Sequence, residues 1–234
     1  ALLWDTNQQP DIEMTTPSGK SVMLHAGQQT TVDNMTFAVQ ASTSPRGTRH
    51  LVFAIYVTSR QNKVEPGTWK IEVSNVTAKD TMLGRVMDRY SSWGVGIRWN
   101  NPTKDRGTMV FPSTADSALG VAAYGGRFDR GDDGSGSRVG ELRNYSGRGP
   151  RIDGARGVDI AAPDDPYAAL GLSGRALDQG FARGGFRRFG GTSGAGPHVA
   201  AAVGLLKQAN PSWGPDKLEQ ALYDTADNKA LSPD

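Results

Sequence analysis

Ser193 is the residue in this sequence best placed to do chemistry. It lies in the run Gly191-Thr192-Ser193-Gly194-Ala195-Gly196-Pro197-His198-Val199-Ala200, where a glycine-rich approach leads directly into a helical pattern. The first N–H groups of a helix have no acceptor within it, and the positive end of its dipole favours negative charge. The oxyanion of acyl transfer is such a charge, and one preorganised donor to it is worth about 2.7–4 kcal/mol. Pro197 falls in the first turn, where its missing N–H costs little. Small residues at 194–196 leave room for a substrate to approach. The same features also describe an ordinary N-cap serine on a small-residue helix. A phosphate-cradling loop is a third reading, weakened because the Lys-Ser/Thr ending of such loops is absent. Local physics leaves these readings open.

The elements that must position Ser193 come from two halves with different patterns. Up to about Pro112 the pattern is that of β structure. Ile12, Met14 and Leu24 flank a turn at Pro17-Ser18-Gly19, and Phe37 and Val39 alternate with small or polar neighbours. Leu51, Phe53, Ile55 and Val57 keep a period of two, as do Trp69, Ile71 and Val73 after the turn at Pro66-Gly67. Residues 86–93 and 94–99 read as a further hairpin. Short alternating strands separated by turn residues predict a β-sandwich. The second half changes character. Ala118 to Tyr124 and Val158 to Ala162 are short, continuous apolar runs, as in strands covered on both faces. Residues 125–140 and 164–190 are Gly-rich and read as irregular loops. Two helices follow. The first runs from about Ser193 to Gln208 with a stripe of Val199, Val203 and Leu206. The second begins at Pro215 after Gly214, with Leu218 and Leu222 one turn apart.

Composition narrows the function. The chain has 234 residues and a formal net charge of +2, so neither nucleic acid nor an anionic membrane is needed as a partner. Arginines between Arg127 and Arg188, interleaved with glycine, read as solvated loops rather than as a site for an acidic ligand. There are no cysteines, which excludes disulfides and Cys-ligated metals. No apolar run approaches the roughly 20 residues of a membrane span. The opening Ala1-Leu2-Leu3-Trp4-Asp5 reads like the middle of a strand and suggests a fragment of a longer protein.

The Ser193 run resembles the Gly-Thr-Ser-Met-Ala-x-Pro-His-Val-Ala block around the nucleophile of the subtilases, the subtilisin-like serine proteases. Neighbouring blocks agree in type and order. Pro112 to Tyr124 resembles the family's Pro-x-x-Ala-x-x-Val-x-x-Val-Gly-Ala strand, and residues 144–150 resemble its Phe-Ser-x-x-Gly-Pro turn. Asp159-Ile160-Ala161-Ala162-Pro163 resembles Asp-Val-x-Ala-Pro-Gly. Asn210-Pro211 and the helix ending Thr225-Ala226-Asp227 resemble the family's C-terminal region. The resemblance covers roughly residues 108–234. It implies an α/β fold, the C-terminal part of a subtilisin-like parallel sheet with helices, over residues 113–234. Residues 1–112 are then an all-β, jelly-roll-like inserted domain, as some bacterial subtilases carry, with residues 66–71 resembling one of its strands.

The resemblance also implies roles. Ser193 is the nucleophile and its own N–H an oxyanion donor. Gly191, Thr192 and Phe189 border the substrate, and Val110 and Phe111 fall near the wall of the pocket for the residue before the scissile bond. No metal or other cofactor takes part in the chemistry. Calcium stabilises many subtilases, but no loop here is specific enough to assign a site. The expected partners are a peptide or protein substrate and the N-terminal half of the catalytic domain, with self-association of the fragment when that half is absent. An extracellular or cell-envelope location goes with the family.

Three departures stand out. Gly194 replaces the family's common Met, and Asp164 replaces the Gly after Ala-Pro. The family's Asp, His-Gly-Thr-His and Ala-Gly-Asn blocks, which supply the catalytic Asp, the catalytic His and the oxyanion Asn, have no counterpart in this sequence. The histidines are His25, His50 and His198. His198 belongs to the nucleophile block, five residues beyond Ser193 on the same predicted helix. The expected function is therefore serine endopeptidase activity of an intact parent protein, this chain alone being incomplete and inactive. The alternative is a non-catalytic pseudoprotease or protein-binding module. An α/β-hydrolase esterase is rejected, because its Asp and His follow the nucleophile and only His198 follows here.

Overall fold

The computed structural model describes residues 1–7, 9–57, 63–77, 81–86, 97–101, 106–126, 138–169 and 186–227. The chain divides into two compact units, one of residues 1–103 with 152–154, the other of 104–151 with 155–234. Among the described residues no helix is long and apolar enough to cross a membrane.

Among the described residues the first unit holds eight strands: β1 (Leu2–Trp4), β2 (Asp11–Thr15), β3 (Ser21–Met23), β4 (Gln29–Val32), β5 (Met35–Thr43), β6 (Arg49–Val57), β7 (Lys70–Ser74) and β8 (Met82–Gly84). They form a five-stranded sheet in the order β4-β5-β6-β1-β8 and a three-stranded sheet in the order β3-β2-β7. Every pairing is antiparallel. The period-two pattern explains the burial. Ile12 and Met14 on β2 point one way and Asp11, Glu13 and Thr15 the other. Residues from both sheets share one core, including Leu2, Trp4, Ile12, Met14, Phe37, Val39 and Leu51. Phe53, Ile55, Val57, Trp69, Ile71 and Val73 pack against it. Phe37 and Trp69 meet with ring centroids 6.1 Å apart and planes tilted by 53°, within the range where aromatic pairs add to plain burial. The expected turn after β2 is present: Gly19 takes φ 86° and donates to the Thr16 carbonyl at 2.9 Å, a conformation that favours glycine. The predicted hairpin over 86–99 falls largely on residues outside those described.

The second unit holds β9 (Val121–Tyr124), β10 (Ile160–Pro163), β11 (Tyr167–Ala169), β12 (Phe186–Arg188), α1 (Thr192–Ala209) and α2 (Pro215–Thr225). The two small-residue runs pair in parallel, Ile160 opposite Val121 through Pro163 opposite Tyr124. Ala123, Ala162, Ala195, Val199 and Leu222 form the core between this sheet and the helices. The helical stripe behaves as predicted, with Val199 buried and Val203 and Leu206 packed against the same cluster. α1 ends where Lys207 Nζ donates to the carbonyls of Pro211 and Trp213 at 2.8 and 2.7 Å, a cation on the negative end of the helix dipole. α2 begins at Pro215 after an extended Gly214, as the sequence indicates.

Two sequence expectations are corrected here. Residues 164–190 are not irregular throughout, since β11 and β12 form an antiparallel ladder, Tyr167 opposite Arg188 through Ala169 opposite Phe186. Three-residue strands at the ends of a Gly-rich stretch carry too little periodicity to be seen. The arginines of 127–188 are not all on solvated loops either. Arg143 is completely buried, because Asp164 and Asp165, just beyond the next strand in the chain, reach its guanidinium.

Candidate active site

Ser193 is the second residue of α1. Gly191 is the N-cap, with φ 87° and ψ 178°, and no side chain caps the helix. The hydroxyl of Ser193 is therefore not used as a cap, which sets aside the ordinary N-cap reading. The Gly191 carbonyl accepts the N–H groups of Gly194 at 2.8 Å and Ala195 at 3.4 Å. The N–H groups of Thr192 and Ser193 precede these bonds, in the part of a helix where donors are left for an outside acceptor. Ser193 is exposed and its hydroxyl makes no hydrogen bond among the described residues.

Two of the three small residues after Ser193 serve packing rather than substrate access, while Gly196 has nothing within 4 Å of an added Cβ. Gly194 and Ala195 are both buried. A Cβ at Gly194 would stand 2.3 Å from the Phe189 carbonyl oxygen and 3.1 Å from Pro166 Cδ. The absence of the larger residue that the subtilase block commonly carries here has a steric cause: backbone occupies the space. Gly194→Ala should accordingly destabilise the chain by about 1–3 kcal/mol. Gly204→Ala, on the same helix with nothing within 4 Å of its added Cβ, should stabilise it by about 1 kcal/mol. Urea midpoints of the two variants, shifted in opposite directions, check this; equal shifts would contradict it.

A cleft of about 180 Å³ in the second unit is lined by Thr108, Met109, Val110, Ser113, Val121, Tyr145, Gly147, Val158 and Thr192. Its lining carries no charged side chain. The structure thus brings Thr192 and Val110 together around one depression. Gly191 stands at the helix end beside it. Phe111 and Phe189, 84% and 49% exposed, do not line it. His198 is on α1, and its Nδ1 is 3.0 Å from the Gly194 carbonyl one turn back. His25 and His50 belong to the first unit.

Directly after β10 lies a charged cluster that sequence reading missed. Arg143 Nε and Nη2 donate to Asp164 Oδ1, each at 3.2 Å, and Nη2 to Asp165 Oδ2 at 3.3 Å. The Tyr145 hydroxyl donates to Asp164 Oδ2. All three charged side chains are fully buried. Burial, then the hydrogen bond and charge of Asp165, push the Asp164 carboxyl above its ordinary pKa of 3.8, against the opposing pull of Arg143. A carboxyl whose folded pKa is raised binds more protons folded than unfolded, so its contribution to stability falls as the pH rises from the unfolded value through the folded one. Asp164→Asn, which leaves one arginine with one carboxylate, should raise the melting temperature relative to the unaltered chain more at about pH 7 than at about pH 3.5. A gap that does not change with pH would refute this. The visible signal was Asp164-Asp165, standing directly after Ala-Pro where the family block has glycine. Among the described residues no group of three or more His, Asp or Glu could hold a metal ion.

The parallel β9–β10 pair is backed by α1, and the N-terminus of α1 presents Ser193. Residues 21–233 match the Subtilase family, and the chain belongs to it. It is 29% identical over 128 residues to alkaline elastase YaB of Bacillus sp. (strain YaB), covering 55% of this chain and 30% of that protein. It is 29% identical over 126 residues to subtilisin Savinase of Lederbergia lenta, covering 54% of this chain and 41% of that protein. It is 31% identical over 100 residues to the minor extracellular protease Vpr of Bacillus subtilis, covering 37% of this chain and 10% of that protein. The matched regions span well under half of each relative. In fold, the chain resembles the CspB protease of Clostridium perfringens, with a TM-score of 0.62 and 16% identity over 97% of this chain and 46% of the other.

Proposed function

We propose that this chain is part of a serine endopeptidase in which Ser193 attacks the scissile carbonyl of a peptide or protein substrate. The observation that carries this reading is the free Ser193 hydroxyl at the N-terminus of α1, capped by Gly191 alone. The Ser193 N–H holds the oxyanion, and Thr192 and Val110 border the substrate from the adjoining cleft. Phe189, Gly191 and Phe111 are assigned to the substrate-binding surroundings as well. A His, an Asp and an oxyanion Asn from sequence outside this chain complete the machinery. Residues 139–143 cover part of the outer edge of β9, whereas β10 has no second partner strand among the described residues; that one open edge suits a sheet completed by the other half and a fragment that self-associates without it. Residues 1–112 act as a jelly-roll-like inserted domain. Support comes from the two antiparallel sheets around one core and from the likeness to CspB, which extends over 97% of the chain. A location outside the cell is in keeping with the relative named as an extracellular protease.

The test is labelling by a fluorophosphonate. The full-length parent protein should be labelled stoichiometrically on the peptide that contains Ser193. The 234-residue chain alone should neither be labelled nor hydrolyse a chromogenic peptide, because it holds no general base for Ser193. Rapid labelling of the chain alone would refute its inactivity. A full-length protein that is neither labelled nor active would favour a non-catalytic, protein-binding role.

A further inference from the structure

We infer that the buried Arg143–Asp164–Asp165 cluster positions Ser193, with Asp165 as the positioning residue that fixes the chain leading to the helix N-terminus. The inference rests on the reading of Ser193 as nucleophile.

The argument follows the chain from β10 to α1. Asp165 has φ 60°, one of three non-glycine residues with positive φ among those described. Asp33 and Asn75, the other two, are exposed, as turn residues of this kind ordinarily are. Asp165 is 1% exposed, so its unusual backbone is held from inside. The Arg143 guanidinium, 3.3 Å from its carboxylate, does the holding. Arg143 is itself tied to the sheet: its N–H donates to the Ala123 carbonyl and its carbonyl accepts from Ser146, both at 2.9 Å.

The turn at Asp165 aims Pro166. The Pro166 carbonyl accepts the Phe189 N–H at 2.9 Å, at the end of the β11–β12 ladder. The Phe189 carbonyl and Pro166 Cδ then close on Gly194, so tightly that no Cβ fits there. Ser193 is thereby gripped on both sides. Ala195 packs into the β9–β10 core behind it, and the Pro166–Phe189 contact fixes the approach in front. An error at Asp165 would pass to Ser193 through contacts that leave no slack.

A device meant only for stability would not look like this. One arginine facing two buried carboxylates is a costly arrangement that an apolar cluster of similar volume would match or better. Its geometry is directional, however, and reactions that need aligned groups lose up to about 10²-fold for a misplacement of about 1 Å.

The test uses the full-length protein with a chromogenic peptide and a fluorophosphonate. Asp165→Ala removes both the carboxylate and the tolerance for positive φ. It should lower kcat by about 10–100-fold, leave KM within about two-fold, and slow labelling of Ser193 in step with kcat. Amide exchange at Phe189 and Gly194 should quicken. Asp165→Asn, which keeps the backbone preference and an acceptor for Arg143, should recover most of the loss. Folded Asp165→Ala with unaltered kcat and labelling would overturn the proposal, and so would a fall in melting temperature alone. Should Asp165→Ala not fold, Asp165→Gly decides: it keeps the left-handed backbone without strain and lacks only the carboxylate, and unaltered kcat there overturns the proposal equally. Ser193→Ala separates the two readings. Activity retained in that variant would sink the nucleophile, while amide exchange would still report whether Asp165 fixes the helix end.

Discussion

Ser193→Ala in the full-length protein should lower kcat for peptide hydrolysis by roughly 10⁶-fold, the scale on which members of a nucleophile–base unit act together. The fold should not suffer. Ser193 is exposed, its hydroxyl has no partner among the described residues, and Gly191 rather than Ser193 caps the helix. Alanine is also the better helix former. The melting temperature should therefore hold or rise slightly. The combination distinguishes a nucleophile from a structural serine, whose loss would move stability and activity together. Circular dichroism and a chromogenic peptide assay on the same preparation suffice to measure both. Activity within about ten-fold of the unaltered protein would remove Ser193 from the mechanism.

Arg143→Met should have the largest effect on stability. The substitution leaves Asp164 and Asp165 buried with their shared countercharge gone. Breaking a buried ion pair from one side costs about 3–5 kcal/mol, because the surviving charge stays buried without its countercharge. In a protein of this size that corresponds to a melting temperature lower by roughly 6–20 °C. The loss should shrink in acid, where protonation relieves the stranded carboxylates. The triple change Arg143→Met, Asp164→Asn, Asp165→Asn should recover a large part of it. A single variant as stable as the unaltered chain would mean that the guanidinium is not the partner these carboxylates depend on.

The parts of this protein that were legible in its sequence are those governed by local rules. The alternation Ile12-x-Met14 and Ile71-x-Val73 shows β2 and β7, because period two is read directly from neighbours. α2 is announced by Gly214-Pro215 and by Leu218 and Leu222. Ser193 is legible because the long block around it matches a known pattern and because helix ends have a chemistry of their own. What could not be read depends on residues far apart in the chain. β11 and β12 exist as a pair only because each supplies the other's hydrogen bonds. Nothing local marks Arg143 as buried. Its countercharges are 21 and 22 residues away, and an arginine among glycines looks like loop. Gly194 misleads in a further way, since smallness demanded by the Phe189 carbonyl looks the same in sequence as smallness that admits a ligand.

The strand order β4-β5-β6-β1-β8 sets the sequence in which the larger sheet can assemble. β5 and β6 are neighbours in the chain and in the sheet, so their hairpin closes only a short loop. β1 must then find β6, pairing Leu2 with Leu51, and β8 must find β1, pairing Leu2 with Gly84. Each of these steps closes a long loop, and such pairings slow folding towards the millisecond-to-second range. Among the described residues β1 is the only link between β6 and β8 in this sheet, so the effect of losing Leu2–Trp4 would not stop at those three residues. It would detach β8 from the sheet altogether, expose the edge of β6, and remove two side chains, Leu2 and Trp4, from the shared core. Loss of this short strand would therefore be felt by the first unit as a whole.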